Sequence, residues 1–314
     1  MDWSRILTVA FLIQVLAAGV RLGAPLVASA LGEIFAERSG VFNLGVEGIM
    51  LLGGLTGFTV AHHTNNLWYG AAAGMLIGAL AGFIFSVWVV TLKSDQIVSG
   101  YAMLILCSGA ALFSYRLFFP STNTLSFPQV KPFPAIAVPI LSEIPFIGPI
   151  FFKQDALVYV IYGLVVISAV IHYRTRFGLR ASAVGENPAA ADSVGINVTV
   201  VRYLSTIVGA ALAGLGGAYF SLVVLGLYSD TMIAGRGFIA LALVIFGRWD
   251  PVWAFAGGLL FGSIDALQFR LQFLGAPVPS EFLIMAPYVL TIVILLLGKR
   301  RSAPSALTKA YSRE

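Results

Sequence analysis

Charged residues are scarce in this sequence. Asp, Glu, Lys and Arg make up 11% of the 314 residues, whereas hydrophobic residues make up 59%, and the mean hydropathy is +0.92. Soluble domains carry roughly 25% charged residues, so a soluble globular protein is excluded. Apolar runs long enough to cross a hydrocarbon core of about 30 Å recur along the chain. The composition therefore predicts a membrane protein with several transmembrane helices.

Residues and motifs that support catalysis or metal binding are equally scarce. Cys107 is the only cysteine and lies in an apolar run, which excludes an intrachain disulfide. His62 and His63 have no third ligand at metal spacing. The sequence contains no HExxH, GxSxG or Walker A motif. We therefore expect a protein that is not an enzyme, with no catalytic residue, metal or cofactor; if ATP drives it, another chain binds the ATP.

Apolar regions alternate with short polar connections along the whole chain. They cover residues 6–35, 49–61, 67–92, 97–119, 156–171, 203–227, 233–246, 252–273 and 282–297. The first would measure about 45 Å as a single helix, so it is either one tilted, bent span or a span followed by a broken piece. The region around Gly235, Arg236 and Gly237 is short enough to be broken or partly re-entrant. We predict an all-α polytopic fold with about nine transmembrane helices, and a range of roughly eight to ten.

Proline and basic residues distinguish the two sides of the membrane. Residues 120–154 hold seven of the fourteen prolines, which indicates an extracytoplasmic loop. If spans alternate, the basic residues fall on the opposite side: Lys93, Arg174, Arg176, Arg180, Arg202, Arg248, Lys299, Arg300 and Arg301. The positive-inside rule makes that side cytoplasmic. We expect one membrane domain over residues 1–314, a cytoplasmic loop at 174–202, a cytoplasmic tail at 299–314 and an N-terminus outside.

The longest polar interruption, residues 177–202, carries a helix start signal. Asn187 precedes Pro188, which combines a capping side chain with proline at the first helical position. Gly195 is expected to end this helix after about two turns. Such a helix is too short to be stable alone in water and needs a surface on which to dock. It is either a connector resting on its own protein or a contact surface for a partner.

A second polar stretch, residues 37–47, is rich in glycine. Polar groups at membrane depth are costly unless they are paired or face a wet cavity. Glu37 and Arg38 fit a cytoplasmic rim, whereas Asn43 and Glu47 are candidates for a translocation path or for contacts with neighbouring backbone. Weaker pathway candidates at the start of a span are Gln96, Ser99 and Tyr101. Asp230 and Arg236 form either a structural ion pair or an external mouth.

Three separated blocks resemble a known family. GEIFAERSGVFNLGVEGIMLLGG (32–54), FGLRASAVGENPAAADSVGINV (177–198) and GRGFIALALVIFGRWDP (235–251) are similar to permease subunits of the branched-chain amino acid and ribose type of bacterial ABC importers. The resemblance covers essentially residues 20–297. It is closest to the nucleoside and simple-sugar permeases that work with basic-membrane-protein-type binding lipoproteins. The ERSGVFNLGVEG variant favours nucleosides over sugars.

The resemblance implies a transport subunit in the bacterial inner membrane that forms half of a pore. Its expected partners are a cytoplasmic ATP-binding subunit, a second homologous permease, an extracytoplasmic substrate-binding lipoprotein and membrane lipids, with no nucleic acid. It implies that a coupling segment, residues 185–195, docks on the ATPase. The residues carried over are Gly185, Glu186, Asn187, Pro188, Ala189, Ala190, Ala191, Asp192 and Gly195. The alternatives are a sugar permease and a secondary transporter or channel that works alone.

Overall fold

The chain is helical over most of the part that the structure describes. A computed structural model describes residues 8–120, 128–275, 279–297 and 303–312. The helices are α1 (Val9–Arg38), α2 (Val46–Thr64), α3 (Leu67–Ser86), α4 (Gln96–Phe118), α5 (Ile147–Phe151), α6 (Ala156–Arg174), α7 (Arg176–Glu186), α8 (Pro188–Ser193), α9 (Val198–Tyr219), α10 (Arg236–Phe246), α11 (Pro251–Phe273) and α12 (Ser280–Leu297). π-Helical turns extend α3 over Val87–Thr91 and α9 over Phe220–Leu225.

Within the described residues, six helices are long and apolar enough to cross a membrane: α1, α3, α4, α6, α9 and α11, with α3 and α9 counted through their π-helical turns. This confirms a polytopic helical membrane protein. Where they are described, the nine apolar regions lie mainly on helices, but the 11 residues of α10 extend only about 16 Å. The count of about nine spans and the re-entrant segment therefore stay predictions.

The first apolar region is one continuous helix. α1 runs for 30 residues through Pro25 without a break, so the alternative of a span followed by a broken piece is wrong. The Ser29 hydroxyl donates to the Pro25 carbonyl oxygen at 3.0 Å. A helix of this length measures about 45 Å, which exceeds a hydrocarbon core of about 30 Å. α1 therefore either extends beyond the apolar layer or crosses it at a tilt.

α9 forms the centre of the molecule and packs against α1, α2 and α3. In its most apolar window 83% of the residues are buried. Small residues make these contacts: a methyl group at Gly217 would lie 1.8 Å from the Met50 carbonyl oxygen, and one at Gly32 would lie 2.2 Å from that of Gly209. Glycine at such positions lets helix backbones approach closely in a membrane, where dispersion contacts drive association.

The proline-rich connection contains two short strands, while the membrane part is helical as predicted. β1 (Ala135–Ala137) pairs antiparallel with β2 (Lys153–Asp155), and Ala135 lies opposite Asp155. Asp155 forms an ion pair with Arg21 of α1, with 2.9 Å between the carboxylate Oδ2 and the guanidinium Nε. This ion pair attaches the hairpin to the membrane part. Residues 121–127 of the predicted loop lie outside the described residues, as do residues 299–302, 313 and 314 of the predicted tail.

Candidate functional site

The predicted coupling segment, residues 185–195, contains the short helix that its sequence predicts. α8 spans Pro188–Ser193, and the Asn187 side chain accepts the Ala190 N–H at 3.1 Å. Gly195 follows with φ +85°, a left-handed conformation that glycine adopts at little cost. The helix is thus six residues long, slightly shorter than the two turns expected from the sequence. Its capping residue and its glycine stop are both confirmed.

An unpredicted helix precedes it. α7 spans 11 residues, and the Thr175 hydroxyl caps it by accepting the Gly178 N–H at 3.3 Å. Its buried face holds Gly178, Ala181, Val184 and Gly185. The polar interruption is therefore a pair of short helices, and the sequence analysis identified only the second.

One side of this helix pair rests on the protein itself. A methyl group at Gly185 would lie 2.1 Å from the Arg38 carbonyl oxygen, so α7 crosses the end of α1 with backbone against backbone. A small apolar cluster fixes the pair to the start of α9 and consists of Ala181, Val184, Ala191, Val198 and Val201, with Ile196 and Tyr311 packed against it. The connector alternative is thus correct for this side.

The other side of the helix pair is exposed. Glu186, Asn187, Ala189 and Ala190 are all exposed, whereas Ala191 is 4% exposed. The first turn of α8 therefore presents two methyl groups beside a capping asparagine and the Glu186 carboxylate. A rigid, small-residue turn of this kind suits insertion into a cleft on another protein, because it brings few side-chain rotamers to be immobilised.

Arg202, one of the basic residues assigned to the cytoplasmic side, does not face lipid headgroups or solvent. Its side chain is 1% exposed, and its Nε donates to the Ser39 carbonyl oxygen at 3.2 Å. Its Nη1 donates to the Lys309 carbonyl oxygen at 3.0 Å. Arg202 therefore joins the end of α1, the start of α9 and the C-terminal residues.

Of the two predicted rim residues, Glu37 is buried and Arg38 is half-buried. Glu37 is 1% exposed and accepts the Trp249 indole N–H at 2.6 Å. Arg38 donates from Nε to the Trp249 carbonyl oxygen at 2.9 Å. The rim interpretation is therefore wrong for Glu37, because its carboxylate lies inside the protein and holds the turn between α10 and α11.

Three of the four predicted pathway residues, Asn43, Gln96 and Glu47, accept hydrogen bonds from backbone N–H groups of the chain itself. Asn43, 1% exposed, accepts the Gly45 N–H at 2.9 Å. Gln96, 2% exposed, accepts the Phe42 N–H at 2.8 Å and donates to the Gly40 carbonyl oxygen at 3.4 Å. These side chains shape the loop between α1 and α2. Ser99 is buried one turn further along α4, and Tyr101 is exposed.

Glu47 anchors the N-terminus of α10. Its Oε1 accepts the Gly235 N–H at 2.7 Å and its Oε2 accepts the Gly237 N–H at 2.6 Å. Backbone N–H groups at a helix start lack helical partners and favour a negative charge. Glu47 and Asn43 do not act together, because Asn43 belongs to the preceding loop while Glu47 reaches a segment 188 residues further along the chain.

The ion pair between Asp230 and Arg236 does not form. Arg236 instead lies 3.4 Å from Asp265 of α11 and stacks on the Phe220 ring, with 5.2 Å between the guanidinium carbon and the ring centroid. Asp230 is exposed in the loop after α9. The predicted partner of Arg236, Asp230, lies close to it in the sequence, whereas the observed partner, Asp265, lies on another helix.

An aromatic pocket that was not predicted from the sequence lies at the C-terminal end of α4. Tyr115 and Tyr228 have ring centroids 5.0 Å apart, and they line a pocket of about 440 Å³ together with Arg116, Ser229 and Asp230. The signal available was the position of both tyrosines at the ends of apolar regions, with Arg116 directly after Tyr115 and Asp230 two residues after Tyr228. Aromatic faces next to polar groups suit a planar, polar solute.

Comparison with known proteins gives consistent relatives. The chain is 37% identical to the guanosine ABC transporter permease protein NupQ of Bacillus subtilis, over 90% of this chain and 91% of the relative. It is 39% identical to the nucleoside ABC transporter permease protein NupC of Lactococcus lactis, over 87% and 88%. It is 35% identical to the putative glucose ABC transporter permease protein TsgC13 of Haloferax volcanii, over 97% and 99%. No solved structure matches the chain.

A family model covers nearly the whole membrane part. Residues 15–297 match the model described as branched-chain amino acid transport system / permease component. The match includes all three sequence blocks that carry the resemblance and ends before the described C-terminal residues 303–312. The chain therefore belongs to the branched-chain amino acid transport system permease family.

Proposed function

We propose that this chain is the permease subunit of an ABC importer for nucleosides and forms half of its translocation pore. The proposal rests on residues 185–195, in a chain that belongs to this permease family. They contain a capped helix with one buried side and an exposed Ala189–Ala190 turn. Nucleoside cargo rests on the relatives, since the names of both NupQ and NupC state a nucleoside.

The proposal includes three partners. The sequence has no nucleotide-binding motif, so a cytoplasmic ATPase subunit hydrolyses ATP and docks on the coupling segment. Bacillus subtilis and Lactococcus lactis each hold a second, more distant relative, NupP and NupB, which are also named as permeases. This supports a pore made of two different permease subunits. A binding lipoprotein delivers the substrate from outside.

The proposed orientation places α7, α8 and the C-terminal residues in the cytoplasm and the β1–β2 hairpin outside. Basic residues support it, because Arg174, Arg176 and Arg248 lie at or next to helix ends around the coupling segment and Arg180 lies within α7. Along the pathway, we assign supporting roles to Asn43, Glu47, Gln96 and Ser99. The contacts of Asn43, Glu47 and Gln96 with backbone N–H groups support a role in shaping the walls of the pathway.

The coupling role is tested with Ala190→Arg in the complete importer, containing the ATPase, both permeases and the binding protein. A long charged side chain on the exposed turn should block the cleft, so ATP-driven nucleoside uptake should be lost while membrane insertion and thermal stability stay normal. Ala190→Ser is the matched control, since it keeps the turn small and should retain uptake. Normal uptake by Ala190→Arg would refute the assignment of residues 185–195.

Sugar import is the second candidate, and TsgC13 supports it at 35% identity. Uptake of labelled guanosine, uridine, glucose and ribose should be compared in proteoliposomes that hold the complete importer. We expect uptake of the two nucleosides and none of the two sugars; the reverse would transfer the proposal to sugars. Uptake by this chain alone, without ATP, would instead indicate an independent transporter.

A further inference from the structure

The C-terminal residues 303–312 fold back onto the coupling segment. The Ala306 N–H donates to the Gly185 carbonyl oxygen at 2.8 Å, at the point where α7 crosses the end of α1. The neighbouring Ser305 hydroxyl donates to Glu186 Oε2 at 2.9 Å. Ala306 is 4% exposed. This part of the chain is therefore docked on the last turn of α7 by backbone and side-chain contacts.

A second contact lies at the other end of these residues. The Tyr311 hydroxyl donates to Asp192 Oδ2 at 3.0 Å, and Tyr311 packs against the apolar cluster under α7 and α8. Hydrogen bonds to a charged acceptor are about twice as strong as neutral ones. Residues 303–312 thus contact the coupling segment before and after its exposed turn, and that turn itself stays uncovered.

Arg202 connects this arrangement to the membrane helices. Burying an arginine is costly unless its donors are used. Arg202 uses Nε on the Ser39 carbonyl oxygen and Nη1 on the Lys309 carbonyl oxygen, whereas its buried Nη2 has no partner among the described residues. One arginine at the start of α9 therefore holds the C-terminal residues and the end of α1 together. Any displacement of residues 303–312 would leave a buried guanidinium donor without its acceptor.

We propose that residues 303–312 are a positioning element, the C-terminal clasp, which fixes the orientation of the coupling segment so that a push from the ATPase passes into α1 and α9. This inference rests on the proposed function. α8 has six residues, lies between Asn187 and the left-handed Gly195, and is too short to keep its orientation unaided. The clasp removes that freedom. It lies beyond the family match, which ends at residue 297.

The first test is a chain that ends at residue 302, assembled into the complete importer. The measured quantity is the number of nucleoside molecules imported per ATP hydrolysed. We expect ATP hydrolysis to continue while this ratio falls at least about tenfold, because the coupling segment now yields instead of transmitting force. A truncated chain that assembles and imports with the normal ratio would overturn the proposal.

Tyr311→Phe decides the question if the truncated chain does not fold. It removes one hydroxyl and should lower the import-to-ATP ratio about fivefold, with unchanged thermal stability and unchanged affinity for the binding protein. The matched control is Tyr69→Phe, on an exposed tyrosine of α3. A normal ratio for Tyr311→Phe would contradict the clasp.

A cross-link separates a fixed clasp from one that must open. Ser182→Cys with Pro304→Cys, whose residues line the same pocket beside α7, can be joined by a short bis-maleimide in a Cys107→Ala background. Import should persist after cross-linking if the clasp stays closed throughout the cycle, and loss of import would overturn the proposal. Failure of the clasp tests while Ala190→Arg abolishes uptake would refute the clasp alone. Normal uptake by Ala190→Arg would refute the proposed coupling function itself.

Discussion

Replacing Glu47 with glutamine tests whether this side chain is a structural anchor or a substrate contact. The carboxylate accepts two N–H groups at the start of α10, at 2.7 and 2.6 Å. Glutamine offers one oxygen and one NH₂ group, so one of the two backbone donors loses its acceptor and faces another donor. The change keeps the size of the side chain and removes only its charge and one acceptor.

The expected magnitude follows from those two losses. A hydrogen bond to a charged group contributes about 1.5–3 kcal/mol, and the interaction of the charge with the helix start contributes about 0.3–1 kcal/mol more. Glu47→Gln should therefore destabilise the attachment of α10 by about 2–4 kcal/mol. This corresponds to local opening of the α10 attachment that is about 30- to 700-fold more frequent, since each 1.4 kcal/mol is a factor of ten.

Hydrogen exchange measures this directly at the Gly235 and Gly237 amides, in the purified protein in detergent or nanodiscs. Both amides should exchange faster, and maximal import should fall while the concentration for half-maximal import stays the same. Asp230→Asn is the matched control, because Asp230 is an exposed carboxylate near α10 with no hydrogen bond recorded among the described residues. Unchanged exchange of the two amides, together with a higher substrate concentration for half-maximal import, would refute the anchor and favour a direct substrate contact.

Three further predictions concern other parts of the fold. Asn187→Ala removes the cap of α8, which should cost about 1 kcal/mol and raise local opening about fivefold in hydrogen exchange, whereas Asn187→Ser should not. Gly217→Ala should abolish folded protein in size-exclusion chromatography because its methyl group has no room, whereas Gly163→Ala, with nothing within 4 Å, should fold normally. Partial burial opposes ionisation of Asp250, but its bonds from Tyr173 and two backbone amides lower its pKa. A lowered pKa stabilises the fold above about pH 4, the ordinary aspartate value, and this contribution is lost as the pH falls further. Thermal unfolding of Asp250→Ala should therefore differ from wild type at pH 7 and converge with it in acid.

Features governed by neighbouring residues could be predicted from the sequence. The Asn187–Pro188 start and the Gly195 stop of α8 follow from side-chain and backbone preferences within a few residues. The apolar regions likewise coincide with helices because hydropathy is a local property. The helix α7 was not predicted because its apolar face consists of alanine, valine and glycine. In a segment this polar, such small residues give too weak an apolar pattern to distinguish a helix from a loop.

Features that join distant parts of the chain could not be predicted. Glu47 finds its partners 188 and 190 residues away, and Arg202 finds one of its partners 107 residues away. Proximity in sequence suggested Asp230 for Arg236, but packing of α10 against α11 supplies Asp265 instead. Residue type indicates that a polar group in a membrane needs a partner, while only the packing of the helices determines which partner it receives.

The glycine contacts around α9 restrict how this protein can change shape. Where backbone lies against backbone, as at Gly32 with Gly209 and Gly217 with Met50, no side chains are available to repack, and sliding by one residue would drive a Cβ atom into a carbonyl group. α1, α2, α3 and α9 are therefore expected to move as one rigid body. Under the proposed coupling role, a displacement applied to residues 185–195 is expected to tilt the whole body instead of deforming it, because these residues rest on α1 and α9.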